Sequence, residues 1–150
     1  MQDFLDKAIE LEALKFGSFK LKSGIESDYF FNIAAFFDSE SLSFLAECYV
    51  LKILDLKIDF DLFFGPAYKG IPLASVVATK YFEATKKNIP LAFDRKEEKS
   101  HGEGGTIMGN LEGKKALLID DVLTAGTAIK NSIEIIESNR GTFVGALVAL

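Results

Sequence analysis

The feature that most constrains this chain is the stretch Lys115-Ala-Leu-Leu-Ile-Asp-Asp-Val-Leu-Thr-Ala-Gly-Thr-Ala128. A short apolar run, residues 116–119, stops at two acids, Asp120 and Asp121. Val122, Leu123, Thr124, Ala125, Gly126, Thr127 and Ala128 follow, and then Ile129, Ile133 and Ile136 recur at helical spacing. The run reads as a buried strand, the polar residues as a tight loop, and the periodic segment as a helix over 127–137. That order is the unit from which parallel α/β sheets are built, and such sheets bind ligands outside the carboxyl ends of their strands. The first N–H groups of a helix have no internal acceptor and can hold an anion. Thr124 and Thr127 add hydroxyl donors, while Gly126 lets backbone approach a ligand closely. Asp120 and Asp121 stand one step earlier, where they can hold ribose hydroxyls or a hydrated cation. The stretch therefore points to a sugar that carries phosphate.

Two plainer readings compete with this one. A strand ending in Asp-Asp also serves as the metal-binding strand of P-loop enzymes, or as a simple strand cap. A P-loop requires Gly-x-x-x-x-Gly-Lys-Ser/Thr between a strand and a helix. The nearest candidate, Gly109-Asn-Leu-Glu-Gly113-Lys114-Lys115, has the wrong spacing, lacks the hydroxyl residue and precedes a strand. A simple cap does not call for two acids, two threonines and a glycine together.

The other segments fit an alternating α/β chain. Residues 3–14 carry Phe4, Leu5, Ala8, Ile9 and Leu11 on a helical stripe, which Lys15-Phe-Gly breaks. Residues 19–22 and 28–33 read as two strands joined by a turn over 23–27. Phe30 and Phe31 adjoin, so their side chains point to opposite faces, and by chemistry alone both read as core. Ser39 is the expected N-cap of a long helix with Leu42, Leu45, Ala46, Tyr49, Val50 and Ile53 inward. A strand over 61–64 ends at Gly65-Pro66, and a helix begins near Ile71 with Ala74, Val77, Ala78 and Tyr81 on its inner face. Between them Ala67-Tyr68-Lys69-Gly70 forms a second strand-to-helix loop. It is either a second anion site with Lys69 as counter-charge, or an ordinary loop with an exposed lysine. A strand over 90–93 precedes the most polar run of the chain, 94–105. That run holds Arg95, Lys96, Lys99 and the single histidine, His101, ahead of Gly102, Gly104 and Gly105. It is a solvated loop of mixed charge or, given three cations and a glycine hinge, a lid. A last strand spans 142–150. Alternation of this kind implies a parallel sheet covered by helices on both faces.

Composition bounds the class. A chain of 150 residues fits one domain, or one domain with a small lobe. It can bury roughly 70% of its extended surface. The net charge of −5 argues against a general nucleic-acid binder, which needs a basic face. Cys48 is the only cysteine, so no internal disulfide forms; it reads as a small core residue in a cytoplasmic protein. The opening Met1-Gln-Asp-Phe is acidic rather than basic, and no apolar run is long enough for a membrane span.

With these residues in view, Asp120-Asp121-Val-Leu-Thr-Ala-Gly-Thr127 resembles the phosphoribosyl-diphosphate (PRPP) motif of the type I phosphoribosyltransferases. Three further stretches narrow the resemblance to the bacterial type of orotate phosphoribosyltransferase. They are Leu21-Lys-Ser-Gly24 with Tyr29-Phe-Phe-Asn32, Phe64-Gly-Pro-Ala-Tyr-Lys-Gly-Ile-Pro72, and Asp94-Arg-Lys-Glu-Glu-Lys-Ser-His-Gly-Glu-Gly-Gly105.

The resemblance implies a single domain over 1–150, with a hood lobe over about 1–35 and a core over 36–150. It implies that the family fold continues past Leu150 with a loop whose arginine contacts orotate, another strand and helices. The implied reaction is orotate plus PRPP to orotidine 5′-monophosphate and diphosphate, in pyrimidine synthesis. By the same resemblance Asp120 and Asp121 hold the ribose hydroxyls and, directly or through water, Mg²⁺. Residues 122–128 cradle the 5′-phosphate. Tyr68 and Lys69 belong to the diphosphate loop, where a non-proline cis peptide is expected around 67–69. Lys22 reaches PRPP, and Phe30 and Phe31 take the orotate ring, against the chemistry-only reading. Arg95, Lys99 and His101 come from the lid of the neighbouring subunit in a homodimer, while Lys96 serves its own site. Lys99, Asp121, Lys69 and His101 are the expected catalytic set. The alternatives are transfer to another nucleobase, or a PRPP-sensing regulator without catalysis that also binds nucleic acid; neither a basic face nor an added DNA-binding domain is visible.

Overall fold

A computed structural model describes residues 2–20, 24, 26–95 and 107–150. Helix α1 (Gln2–Glu10) leads into a hairpin of β1 (Leu14–Lys20) and β2 (Glu26–Phe31). A 3₁₀ turn, Ile33–Phe36, follows, and the rest alternates: α2 (Ser39–Leu56), β3 (Leu62–Gly65), α3 (Gly70–Thr85), β4 (Leu91–Asp94), β5 (Ile107–Met108), β6 (Lys115–Ile119), α4 (Thr127–Ser138) and β7 (Thr142–Leu147). The larger sheet has the order β5-β4-β3-β6-β7. Its β4, β3, β6 and β7 run parallel, and β5 pairs antiparallel with β4.

The sheet is therefore mixed at one edge, where the sequence suggested an all-parallel one. β5 is only two residues long, too short to carry a periodic signal. α1 stops four residues before its expected end, because Glu12 adopts a left-handed φ of +53° and turns the chain. Ala13 and Leu14 then enter the core, so β1 begins well before Phe19. The N-cap of α2 is Asp38 rather than Ser39: the Asp38 carboxylate accepts the Ser41 N–H at 2.9 Å. Helix α4 buries Ser132 and Ile136 most deeply, with Ile129 and Ile133 only half-buried.

Strand alternation divides the core between the two faces. Phe63, Leu117 and Ile119 face the α2–α3 layer, where they join Leu45, Tyr49, Ile53, Leu73 and Val77. Leu62, Phe64, Ala116 and Leu118 face the other way and meet Ile136 of α4. The hairpin's Phe31 packs its ring against Phe4 and Phe36, with centroids 6.2 and 6.4 Å away. Phe30 stays exposed and lies against Phe19 at 5.6 Å. The opposite-face reading of this pair holds, whereas the core reading holds for Phe31 alone.

Candidate active site

The parallel strands lie in the spatial order β4, β3, β6, β7, so the connection from β3 runs to β4 on one side and the connection from β6 runs to β7 on the other. The reversal opens a crevice beyond the carboxyl ends of β3 and β6, the place where ligands bind in open α/β sheets. Two strand-to-helix turns meet there.

The first is the turn after β6. Asp120 is almost fully buried, and its Oδ1 accepts the Asp121 N–H at 2.9 Å. Burial, chiefly, pushes its carboxyl up to about 6, and the neighbouring Asp121 charge adds to the effect. The Asp121 carboxylate accepts the Val122 N–H at 3.0 Å through one oxygen and pairs with Lys69 through the other. Backbone bonds fix this segment from the side of β7. The Asp120 N–H donates to the Leu147 carbonyl at 3.1 Å, the Ala149 N–H to the Asp121 carbonyl at 2.9 Å, and the Leu123 N–H to the Leu150 carbonyl at 2.9 Å. From α2, the Tyr49 hydroxyl donates to the Asp120 carbonyl at 2.7 Å in the interior. Burial together with the Asp120 and Asp121 charges raises the Tyr49 phenol far above its ordinary value, so it remains a donor. Beyond Leu123 the turn opens. Thr124, Ala125, Thr127 and Ala128 are exposed. Gly126 caps α4 with a left-handed φ of +77°, and no side chain makes a capping hydrogen bond there. The first amides of α4 thus face outward with no helical acceptor.

The second is the turn after β3. Pro66 and Gly70 are buried, and Tyr68 and Lys69 are exposed between them. The Ala67–Tyr68 peptide is cis, as the resemblance implied. Gly70 is required by close approach: a Cβ there would overlap the Pro66 ring and sit 3.0 Å from the Ile119 carbonyl of β6. The Lys69 ammonium lies 2.9 Å from an Asp121 oxygen, joining the two turns across 52 residues of chain. The Asp94 carboxylate at the end of β4 accepts the Ala67 N–H at 2.6 Å.

The fold thus brings together Tyr68, Lys69, Asp120, Asp121 and residues 122–128. Arg95 stands at the end of β4 with Nη2 3.3 Å from the Met108 sulfur. Lys22, Lys96, Lys99 and His101 lie outside the described residues. Phe30 and Phe31 sit on the hairpin. Sequence reasoning missed Asp94, Tyr49 and the 147–150 segment, whose bonds to the turns span the fold and leave no local pattern. Among the described residues no group of three or more His, Cys, Asp or Glu side chains converges as a metal cage. Asp120 and Asp121 adjoin here, and Mg²⁺ commonly takes one or two carboxylates and completes its shell with water and substrate phosphate oxygens.

A phosphoribosyl transferase domain model matches residues 41–150. Over 150 aligned residues the chain is 47% identical to the orotate phosphoribosyltransferase of Halorhodospira halophila, covering 99% of this chain and 70% of that one. It is 52% identical to the orotate phosphoribosyltransferase of Yarrowia lipolytica, again covering 99% and 70%. The chain belongs to the orotate phosphoribosyltransferase family. The crystal structure of orotate phosphoribosyltransferase from Francisella tularensis superposes with a TM-score of 0.83 at 38% identity, over 97% of this chain and 67% of that one. This member of the orotate phosphoribosyltransferase family is thus a transferase with the type I phosphoribosyltransferase fold. No helix among its described residues is long and apolar enough to cross a membrane.

Proposed function

We propose that this chain transfers the phosphoribosyl group of PRPP to orotate, giving orotidine 5′-monophosphate and diphosphate in pyrimidine biosynthesis. One observation carries the reading beyond family membership. An acidic pair with open helix amides behind it meets a lysine from a second turn at the sheet's switch point. This is the charge pattern that a pentose with phosphoryl groups at both ends requires.

In the reaction the bond from the anomeric carbon to a diphosphate oxygen breaks, and its electron pair leaves with the diphosphate. A ring nitrogen of orotate forms the new bond and gives up its proton. Positive character builds at the sugar while negative charge builds on the leaving group, so placement and electrostatics carry the rate. Asp120 and Asp121 hold the ribose hydroxyls and face the positive sugar carbon. Residues 122–128 hold the 5′-phosphate on backbone amides and the Thr124 and Thr127 hydroxyls. Lys69 exchanges its contact with Asp121 for the diphosphate. Lys22 and Lys96 serve the same site, and Phe30 and Phe31 take the flat orotate ring. Mg²⁺, when held by Asp120 and Asp121, screens the charge of the diphosphate.

We further assign one phosphoribosyltransferase domain to residues 1–150, with a hood over about 1–35. The active form is a homodimer in which Arg95, Lys99 and His101 reach the neighbour's site, working in the cytoplasm, where the free Cys48 thiol is at home. Orotate absorbance tests the whole reading. Adding PRPP and Mg²⁺ should consume orotate but not adenine, uracil or hypoxanthine, and Lys99→Ala should slow turnover by orders of magnitude in a folded protein. Mixing Lys69→Ala with Lys99→Ala protomers should restore about a quarter of wild-type turnover, since half the dimers are mixed and one of their two sites is intact. Orotate left unchanged refutes the reaction; a mixture as inactive as its components refutes the shared site.

A further inference from the structure

The Asp94 carboxylate has no task in the mechanism above, yet it makes a short bond at the edge of the crevice. β4 lies beside β3 with Phe93 opposite Gly65, so Asp94 stands one step beyond the paired ends of both strands. Pro66 has no N–H. The first donor after β3 is therefore Ala67, and it goes to Asp94 Oδ1 at 2.6 Å in a half-buried setting. A backbone N–H held by a carboxylate makes a charge-assisted bond, stronger than a neutral one. The side chains that follow reach toward solvent: Tyr68 is 65% exposed and the Lys69 side chain 54%. α3 has no side-chain cap that could pin the turn from its other end. The backbone that carries Lys69 runs between the Asp94 bond on one side and Gly70, close against the Ile119 carbonyl, on the other, and its ammonium rests on Asp121.

We infer that Asp94 is a positioning residue for the diphosphate end of PRPP: its bond to the Ala67 N–H aims the turn that carries Lys69. The inference rests on the phosphoribosyl-transfer reading. The bond needs an acceptor oxygen at this place, and the carboxylate charge strengthens it. Asn retains such an oxygen.

Steady-state kinetics on folded variants separate the possibilities. Asp94→Ala should raise KM for PRPP about tenfold, roughly the effect of one such bond, while KM for orotate stays within twofold. Asp94→Asn should return KM for PRPP to within about threefold of wild type. A purely structural role lowers kcat through loss of folded enzyme and leaves both KM values alone. That result overturns the inference, as does an Asp94→Asn variant as impaired as Asp94→Ala. Should Asp94→Ala fold poorly by circular dichroism, Asp94→Ser replaces it, its hydroxyl being too short to span to Ala67. If wild type turns over no orotate, the reaction reading fails on its own. Calorimetry of diphosphate binding then still decides: about tenfold weaker binding to the Ala or Ser variant supports the inference, and equal binding overturns it.

Discussion

The turn after β3 and the turn after β6 both carry a strand end into a helix start, yet they are secured differently. The β3 turn is clamped at both ends: Ala67 is tied to Asp94, and Gly70 has no room for a side chain between Pro66 and the Ile119 carbonyl. The β6 turn is clamped only on its strand side, by Tyr49 and by the backbone of residues 147–150. Its helix side is left open, with exposed threonines and a left-handed glycine at the helix start. A lysine on a long flexible stem places its charge usefully only from a fixed base. Backbone amides, by contrast, are already rigid within the helix and need only to be uncovered. The first turn presents a side chain and the second presents main chain, and each is braced accordingly.

The largest effect that would sharpen this contrast lies at the clamped side of the β6 turn. Burial raises Asp120 from 3.8 to about 6, so the folded protein holds that proton more tightly than the unfolded chain. The stability this gives is fully present below pH 4 and is lost as pH rises past 6. Asp120→Asn stays neutral throughout and can still accept the Asp121 N–H. It should therefore stabilise the ligand-free protein at pH 7.5 by up to about 3 kcal/mol, with the gain shrinking toward pH 4, while turnover is lost. Urea unfolding at several pH values measures it, and a pH-independent difference would mean that burial of this acid is not the cause. Next comes Gly70→Ala. A Cβ overlapping the Pro66 ring should cost about 1–3 kcal/mol as overpacking and raise KM for PRPP, read by thermal unfolding and kinetics. Unaltered stability would show that the β3 turn yields more readily than its packing implies. The smallest effect should come from Gly126→Ala, where the nearest atom to a new Cβ is the Leu123 Cδ1 at 3.9 Å. Space is ample, so only the left-handed backbone resists, at about 1 kcal/mol. A loss as large as that of Gly70→Ala would erase the distinction between the clamped turn and the open one.

Much of the β6 turn was legible in the sequence because its chemistry is contiguous: apolar strand, two acids, hydroxyls, glycine and helix follow without interruption. The β3 turn was half legible. Gly65-Pro66 and Lys69 marked a strand end and a cation, but spacing left its role open. The bonds that brace both turns were not legible. Tyr49 belonged to an apolar stripe and read as core, which it is; that its hydroxyl reaches Asp120, 71 residues away, is a fact of the folded chain. Asp94 looked like the first residue of a charge run. In the hairpin, Gly17 and Lys15 read as breakers, whereas the strand runs through them with an irregular register between Phe16 and Phe19. A bulge of this kind erases the period of two on which strand reading depends.

The pairing of β3 with β6 has a consequence for how the chain acquires its ligand. Phe63 lies opposite Leu117, and everything between them, including β4 and α3, must be laid down before the two strands can meet. Neither an N-terminal nor a C-terminal half of the chain possesses both turns that border the crevice. If the two turns hold PRPP as proposed, a partly folded intermediate lacking the central pairing has no complete site for it. The substrate can stabilise only the completed sheet, by mass action on the native state, and cannot template its assembly. Slow closure of such distant strands would then set the rate at which newly made chains become competent, however much substrate surrounds them.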